Sequence, residues 1–291
     1  MSMSTPASSA RPAAQAIASA ARRLSDAAIA RARAEAQSIV RHATGLSEED
    51  LLLHPEAPLS PAQIACIDEL VSRRAAREPL PYVLGWAEFY SRRFRVSPAA
   101  IVPRPETEIL AEAAIARARA ARAGLIADVG TGSGALAVTL ASELPAVRVV
   151  ATDISTPALR LAAENARLHQ VAEKVHLVCC DLLSGVGRPV ECVVANLPYI
   201  ASDDFAALEP EVREFEPRIA LNGGSDGLGL IRRLSVQLSH HLNKGGFAAL
   251  EVGAGQASAV AKLLERAGLD EIEVVADYGG IDRVVIGWRR G

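Results

Sequence analysis

The residues best suited to chemistry sit where short apolar runs end. Asn196-Leu197-Pro198-Tyr199 follows the run Val193-Val194-Ala195, so a buried strand is left through an amide, a rigid residue and an aromatic ring. The side-chain oxygen of Asn196 can accept one N–H of a planar amide or amino group, and the carbonyl of Leu197 can accept a second. Two such acceptors aim a delocalised nitrogen lone pair at an electrophile and favour partial pyramidalisation, which is positioning plus selective stabilisation of the transition state. Tyr199 offers a flat face to the conjugated group. Pro198 fixes its own φ and biases Leu197 to an extended conformation, which holds that carbonyl. Without a ligand in view, the same four residues also describe an ordinary turn with a packed tyrosine.

A second constellation lies upstream. Gly130-Thr131-Gly132-Ser133-Gly134 is a G-x-G-x-G loop between an apolar run and a helical stretch; glycines there let the backbone take positive φ and approach a ligand closely. The next apolar run ends at Asp153, where an acid can hold both hydroxyls of a ribose or can cap the helix that begins near Ser155. The run after that ends at Asp181, placed to accept a hydrogen bond from an exocyclic adenine amine. Together the three strand ends outline a nucleoside site. No P-loop lysine follows the glycines, which argues against a nucleoside triphosphate. S-adenosylmethionine, an adenosine bearing an amino acid, fits better than a dinucleotide.

These residues need a sheet to carry them. From residue 124 the pattern is strand, helix, strand, with apolar runs at GLIADVG, VRVVATD, VHLVCCD, VECVVAN and GFAALEVG. Such alternation predicts a parallel sheet covered by helices on both faces. EIEVVADYGGIDRVVIGW reads as two strands joined by a turn too short for a parallel crossover, so the last strand should run antiparallel. The expected fold class is therefore α/β: a Rossmann-like sheet of the class I S-adenosylmethionine-dependent methyltransferase type, parallel with one antiparallel strand, plus a small N-terminal helical bundle. Residues 1–14 are expected to lack fixed structure and 15–78 to form the bundle. Residues 79–103, with the alternating WAEFYSRRFRV, should be a β-hairpin linker, and 104–291 the catalytic domain. Within the bundle, Ser25 or Asp26 is expected to cap one helix that ends at Gly45. Ser60, Pro61 and Gln63 form a capping box for the next, with Ile64, Ile67, Leu70 and Val71 on its inner face.

Composition narrows the partners. The 291 residues carry a net charge of −3, are half hydrophobic and 22% charged, so no basic surplus awaits a nucleic-acid backbone and direct nucleic-acid binding is not expected. No apolar run reaches the ~18 residues of a membrane span. Cys66, Cys179, Cys180 and Cys192 have no C-x-x-C spacing and read as reduced, buried thiols; the six histidines form no ligand pattern, and no metal is expected. The first acid is Asp26. That suits a disordered start in an alanine- and arginine-rich bacterial cytoplasmic protein, or alternatively a mitochondrial transit peptide.

Several longer stretches carry a family likeness. Asn196 to Tyr199 resembles the [D/N/S]-P-P-[Y/F/W] motif of enzymes that methylate planar nitrogens. With PYVLGWAEFY, VPRPETE, DVGTGSGALAV, EFEPRIALNGGSDGL, LNKGGFAALEVGAGQ and DYGGIDRVV, from about Pro79 to Gly287, the chain resembles the HemK family of protein-(glutamine-N5) methyltransferases, in its release factor branch. The resemblance implies a monomeric enzyme that methylates the glutamine of the Gly-Gly-Gln loop of peptide chain release factors, leaving S-adenosylhomocysteine. It implies cofactor contacts from Gly130 to Gly134, Asp153, Leu182 and Asn196, and substrate contacts from Asn196 to Tyr199. Arg104, Pro105 and Glu106 then wall the site or simply begin a helix. Leu197 departs from the family's usual proline, and Asn-Leu-Pro-Tyr also occurs in enzymes that dimethylate adenine in ribosomal RNA. The alternatives are therefore an amino-group methyltransferase acting on a nucleic-acid base, and a non-catalytic S-adenosylmethionine-binding partner protein.

Overall fold

A computed structural model describes residues 11–290. The chain divides into two compact units, Met1–Leu84 and Gly85–Gly291. In the first, α1 (Ala13–Asp26), α2 (Ala32–Thr44) and α4 (Pro61–Ala75) supply most of the core, with α3 (Glu48–Leu53) and α5 (Leu80–Leu84) beside them. Alpha-helical spacing explains the packing: α1 buries Ala13, Ala16, Ile17, Ala20 and Leu24, while α4 buries Ile67, Leu70 and Val71. The capping box at Ser60 and Gln63 is present, and Gly45 ends α2 in the left-handed region. Arg74 is buried and donates from Nε to Glu35 Oε2 at 2.6 Å, tying α4 to α2.

Three expectations for this unit need correction. Ser25 and Asp26 cap nothing; they form the last turn of α1, and the chain breaks at Ala28, whose φ is 58°. No glycine or proline marks that break, and alanine-rich helices flank it on both sides. Ile64 is only partly buried. The first ten residues lie outside the described ones, but Arg11–Pro12 pairs with Pro58–Leu59 and α1 already starts at Ala13, so order begins before residue 15.

The aromatic hairpin, Trp86–Phe89 and Arg92–Arg95, belongs to the second unit. Phe89 and Phe94 are fully buried in that unit's core and meet edge to face, 6.0 Å between centroids. The expected linker is thus anchored to the sheet domain by apolar burial, and the break between units falls at Leu84/Gly85 rather than after residue 78.

Seven strands build the main sheet: β1 (Leu125–Val129), β2 (Arg148–Asp153), β3 (Val175–Cys179), β4 (Val190–Ala195), β5 (Leu242–Glu251), β6 (Leu269–Ala276) and β7 (Asp282–Arg289). Their order is β6-β7-β5-β4-β1-β2-β3, parallel except for β7, which is antiparallel to both its neighbours. All of β1 is buried, as a strand covered on both faces should be. One face packs Ile126, Val194, Ala249 and Ile286 beneath α6 (Thr107–Ala120) and α7 (Ala135–Glu143). The other packs Ala127, Val193, Leu250 and Val285 beneath α10 (Gly229–His241) and α11 (Ala257–Arg266). From β1 the chain runs outward to β2 and β3, then returns to the far side of β1 as β4. That reversal opens a crevice at the carboxyl ends of β1 and β4.

Candidate active site

Two cavities lie along that crevice. The larger, about 540 Å³, is bordered by Gly130, Gly132, Asp153, Asp181 and Leu182; the smaller, about 320 Å³, by Arg104, Tyr199, Leu208 and Val212. Asn196, Leu197 and Pro198 line both, so the exit from β4 is the wall they share.

The glycine loop is shaped for close approach. Gly130, Gly132 and Gly134 all have φ between 55° and 78°. The N–H groups of Gly130 and Thr131 both donate to the Thr152 carbonyl at 2.9 Å, pinning the loop to β2. A Cβ on Gly134 would lie 2.9 Å from that of Ala162 on α8 (Thr156–Leu168), so this glycine serves helix packing. Thr131, Ser133 and Gly134 do not border the cavity. Thr131 donates from its hydroxyl to Asp128 Oδ2 at 2.6 Å, and the Ser133 carbonyl accepts from Asn165 Nδ2 at 2.8 Å. These contacts hold the loop in shape. Asp128 is 2% exposed, and burial pushes its carboxyl up to about 7 against the pull of the Thr131 hydroxyl.

Asp153 faces the cavity and is not the helix cap. Its Oδ2 accepts from Gly132 N–H at 2.9 Å and its Oδ1 from Ser155 N–H at 2.8 Å, while the Ser155 hydroxyl caps α8. A carboxylate has about four acceptor positions, so each oxygen keeps one for a ligand. Asp181, which with Arg233 of α10 borders the cavity, is ion-paired to that arginine through Oδ2, and no described residue donates to its Oδ1. Leu182, buried at φ 52°, closes the floor.

At the shared wall, Asn196 Nδ2 donates to Thr107 Oγ1 at 2.9 Å. That contact turns the amide so that Oδ1 points away from Thr107; no described residue donates to Oδ1 or to the Leu197 carbonyl. Both acceptors are thus left without a described donor, on residues that border the two cavities. Leu197 is 4% exposed and its Cδ2 would lie 3.0 Å from a Cβ on Gly130, which ties the glycine loop to the wall. The Tyr199 carbonyl accepts from Gln256 Nε2 at 3.0 Å, and Gly227 passes so near that a Cβ there would fall 2.2 Å from the same oxygen. Burial, then the neighbouring Glu251, pushes the Tyr199 hydroxyl above its ordinary value.

Arg104 does border the smaller cavity, but its guanidinium is committed to Glu216, donating to Oε1 at 2.8 Å and Oε2 at 2.7 Å. The Glu216 side chain is 1% exposed; burial raises its carboxyl and Arg104 offsets this. Arg104 thus braces the segment that roofs the cavity instead of offering a free charge. Glu106 borders neither cavity and precedes α6. Sequence reasoning missed Thr107, Glu216, Arg233, Glu251 and Gln256. An acid ending the buried strand GFAALEVG was a signal for Glu251; the others depend on contacts far apart in the chain. Of the four thiols only Cys192 is buried, and Cys179 is exposed, contrary to expectation. Among the described residues no cluster of His, Cys, Asp or Glu could hold a metal, and no helix is long and apolar enough to cross a membrane.

Comparison with known proteins agrees with this geometry. Residues 15–85 match the PrmC N-terminal domain and residues 106–210 the methyltransferase small domain. The release factor glutamine methyltransferase of Cereibacter sphaeroides is 43% identical over 94% of this chain and 97% of its own; that of Geobacter sulfurreducens is 41% identical over 91% and 92%. The chain belongs to the release factor glutamine methyltransferase family. The two matched domains correspond to the two units: the first covers the helical one and the second the middle of the sheet. In fold it is also similar to a methyltransferase from Pyrococcus furiosus (TM-score 0.52, 16% identity, 70% of this chain and 91% of that one). A further likeness is to the 16S rRNA N2 G1207 methyltransferase of T. thermophilus, solved with AdoMet and guanosine (TM-score 0.50, 16% identity, 70% and 50%).

Proposed function

We propose that this enzyme transfers a methyl group from S-adenosylmethionine to the side-chain amide nitrogen of the glutamine in the Gly-Gly-Gln loop of peptide chain release factors. The observation that carries the reading is the shared wall, where two free acceptors stand between a nucleoside-sized cavity and a smaller one beside a tyrosine. The relatives' common name supports the substrate.

The larger cavity suits the cofactor. Its volume lies within the ~300–1,000 Å³ usual for such ligands. Its glycine loop has no Cβ to fill the cradle, and its lining includes two carboxylates with acceptor positions to spare beside Arg218, Arg233 and Asn222. Asp153 would hold the ribose hydroxyls, Asp181 Oδ1 the adenine amine, and Gly130 and Gly132 the cofactor's backbone-facing side. When bound, the cofactor supplies an electrophilic methyl on a sulfonium.

The protein's own part is to present the nitrogen. Asn196 Oδ1 accepts one amide N–H and the Leu197 carbonyl the other, so the lone pair faces the larger cavity. Tyr199 packs against the amide plane. A methylated amide nitrogen would be acidic, so one of its protons would pass to water. No strong base is required. The helical first unit recognises the release factor, and the enzyme works as a monomer. Its bacterial relatives favour the cytoplasm over the mitochondrial alternative.

The test is methyl-labelled S-adenosylmethionine with a full-length release factor, with its Gln-to-Ala loop variant, and with structured RNA. Label should enter only the first. Asn196→Ala should lower single-turnover rates by ~100-fold, as deletion of one preorganised polar group does, and weaken cofactor binding far less. Near-parental turnover in that variant would remove the amide clamp from the mechanism.

A further inference from the structure

Glu251 is the one strongly buried acid beside the shared wall that this mechanism leaves unused. It ends β5, and the register Ala195↔Leu250 sets it next to Asn196 on the same face of the sheet. The start of α6 lays Thr107, itself 7% exposed, over both. Asn196 donates to the Thr107 hydroxyl, and the Glu251 carboxyl lies beside that hydroxyl, which draws on it without a well-formed hydrogen bond between them.

The direction of this chain is set by proton counting. A hydroxyl has one hydrogen, and an ionised carboxylate can only accept. With Glu251 ionised, the Thr107 hydroxyl has an acceptor beside it toward which to turn its one hydrogen, and it can then only accept from Asn196. The Asn196 amide is thereby held with its NH₂ group inward and Oδ1 outward. Hydrogen bonds in series polarise one another, so the negative end of the chain also makes Oδ1 a stronger acceptor. Protonated Glu251 can itself donate to Thr107, and both effects are lost.

Nothing about Glu251 suits a merely structural role. It is 1% exposed and its Oε2 has no partner. Glu106 faces it from the loop before α6 and, with burial, favours its proton; Arg283 of β7 and Arg104 oppose this, and Tyr199 lies alongside. Neither arginine pairs with it, because Arg283 is bound to Asp277 and Arg104 to Glu216. Burial is the largest cause and pushes the carboxyl up to about 7.

We propose that Glu251, acting through Thr107, is the positioning residue that orients Asn196 and strengthens it as the acceptor for the reacting nitrogen. This rests on the role given to Asn196 above. During transfer, positive charge moves from the sulfonium onto that nitrogen, toward the ionised end of the chain, so the rate should follow Glu251 ionisation. Neither a sulfonium nor a glutamine amide titrates in this range.

Single-turnover methylation of a full-length release factor between pH 5.5 and 9, at saturating S-adenosylmethionine, reads this directly. The parent rate should rise with an inflection near 7. Glu251→Gln should flatten the profile and lie ~10-fold below the parent plateau, about the loss of one charge-assisted contact. S-adenosylhomocysteine affinity by calorimetry should stay within about twofold, since Glu251 borders neither cavity. Thr107→Val should match it, and the double variant should be no worse than either single one, as for residues in one chain of contacts. If Glu251→Gln loses cofactor binding through misfolding, Thr107→Val carries the test. An inflection that persists in both variants belongs to another group, Asp128 being the nearest in proton affinity, and overturns the proposal. So does parental turnover in either. The two readings separate at Asn196→Ala: if that variant is inactive while Glu251→Gln is parental, only the relay is wrong. If Asn196→Ala is itself parental, the clamp is wrong.

Discussion

Replacing Glu251 by glutamine should stabilise the protein above neutral pH. In the folded chain the carboxyl keeps its proton to about 7, against an ordinary value of 4.5. Below pH 4.5 folded and unfolded chains both hold the proton, and the substitution changes little. Between 4.5 and 7 the unfolded chain loses its proton first, so the parent's stability falls as pH rises. Above 7 the full cost of ionising a buried carboxyl is present. About 2.5 pH units at 1.36 kcal/mol each come to ~3 kcal/mol. Glutamine has the shape of the protonated acid and carries no such cost. The gain over the parent should therefore be near zero at pH 4.5, partial at pH 6 and ~3 kcal/mol at pH 8, or several degrees in Tm for a unit of this size. Thermal unfolding of both proteins at pH 5 and pH 8 measures it. Asp128, also raised to about 7, is present in both proteins and cancels in the difference. Equal melting temperatures at pH 8 would mean that the burial of Glu251 does not hold its proton, and the argument from its ionisation would fall. A stabler, slower enzyme is the pattern expected where a site keeps an unfavourable group for function.

Two other substitutions test the cavity walls. Asp153→Ala should weaken S-adenosylhomocysteine binding by ~10- to 100-fold, from lost charge-assisted hydrogen bonds of ~1.5–3 kcal/mol, with a smaller change in single-turnover rate at saturating cofactor; unchanged affinity in calorimetry would reduce Asp153 to a support for Gly132 and Ser155. Leu197→Pro should keep turnover, because the Leu197 N–H donates to no described acceptor, at a cost of ~1 kcal/mol in urea unfolding for the buried side chain that leans on Gly130; a loss of turnover with stability intact would assign that N–H a role in binding.

Local chemistry was the legible part of this chain. The capping box at Ser60 and the glycine loop are decided within a few residues, and buried strands announce themselves as apolar runs because both faces are covered. The antiparallel β7 followed from a turn too short for a crossover. What stayed hidden depends on distant segments meeting. Phe89 and Phe94 bind the hairpin to the sheet through burial against α6 and α7, which alternation alone does not reveal. Arg104 was expected to wall the site, but its partner Glu216 lies more than a hundred residues on in the chain. Thr107 reads as an ordinary residue in a helix start, and only the register of β4 with β5 places it between Asn196 and Glu251. The break at Ala28 had no signal, since alanine favours the helix on either side.

The strand order has a further consequence for how such an enzyme can diversify. Asn196 leaves β4 and Asp153 ends β2, with β1 alone between them. Their separation is therefore fixed by two interstrand spacings, roughly 9–10 Å, and not by any loop. On the proposed reading, the offset between the ribose-holding acid and the amide clamp is inherited from backbone hydrogen bonding in the middle of the sheet. Residues 201–224 carry only short helical pieces, the 3-10 turns Ser202–Ala207 and Arg218–Ala220 and the helix α9 (Pro210–Phe215), and are attached by a few identifiable contacts, chiefly Glu216 to Arg104 and the bridge Ile200↔Asn222. Within it Leu208, Glu209 and Val212 border the smaller cavity alone, whereas Arg218, Ile219 and Asn222 border the larger one, so only the first part is free to vary with the nitrogen admitted without touching the wall of the larger cavity.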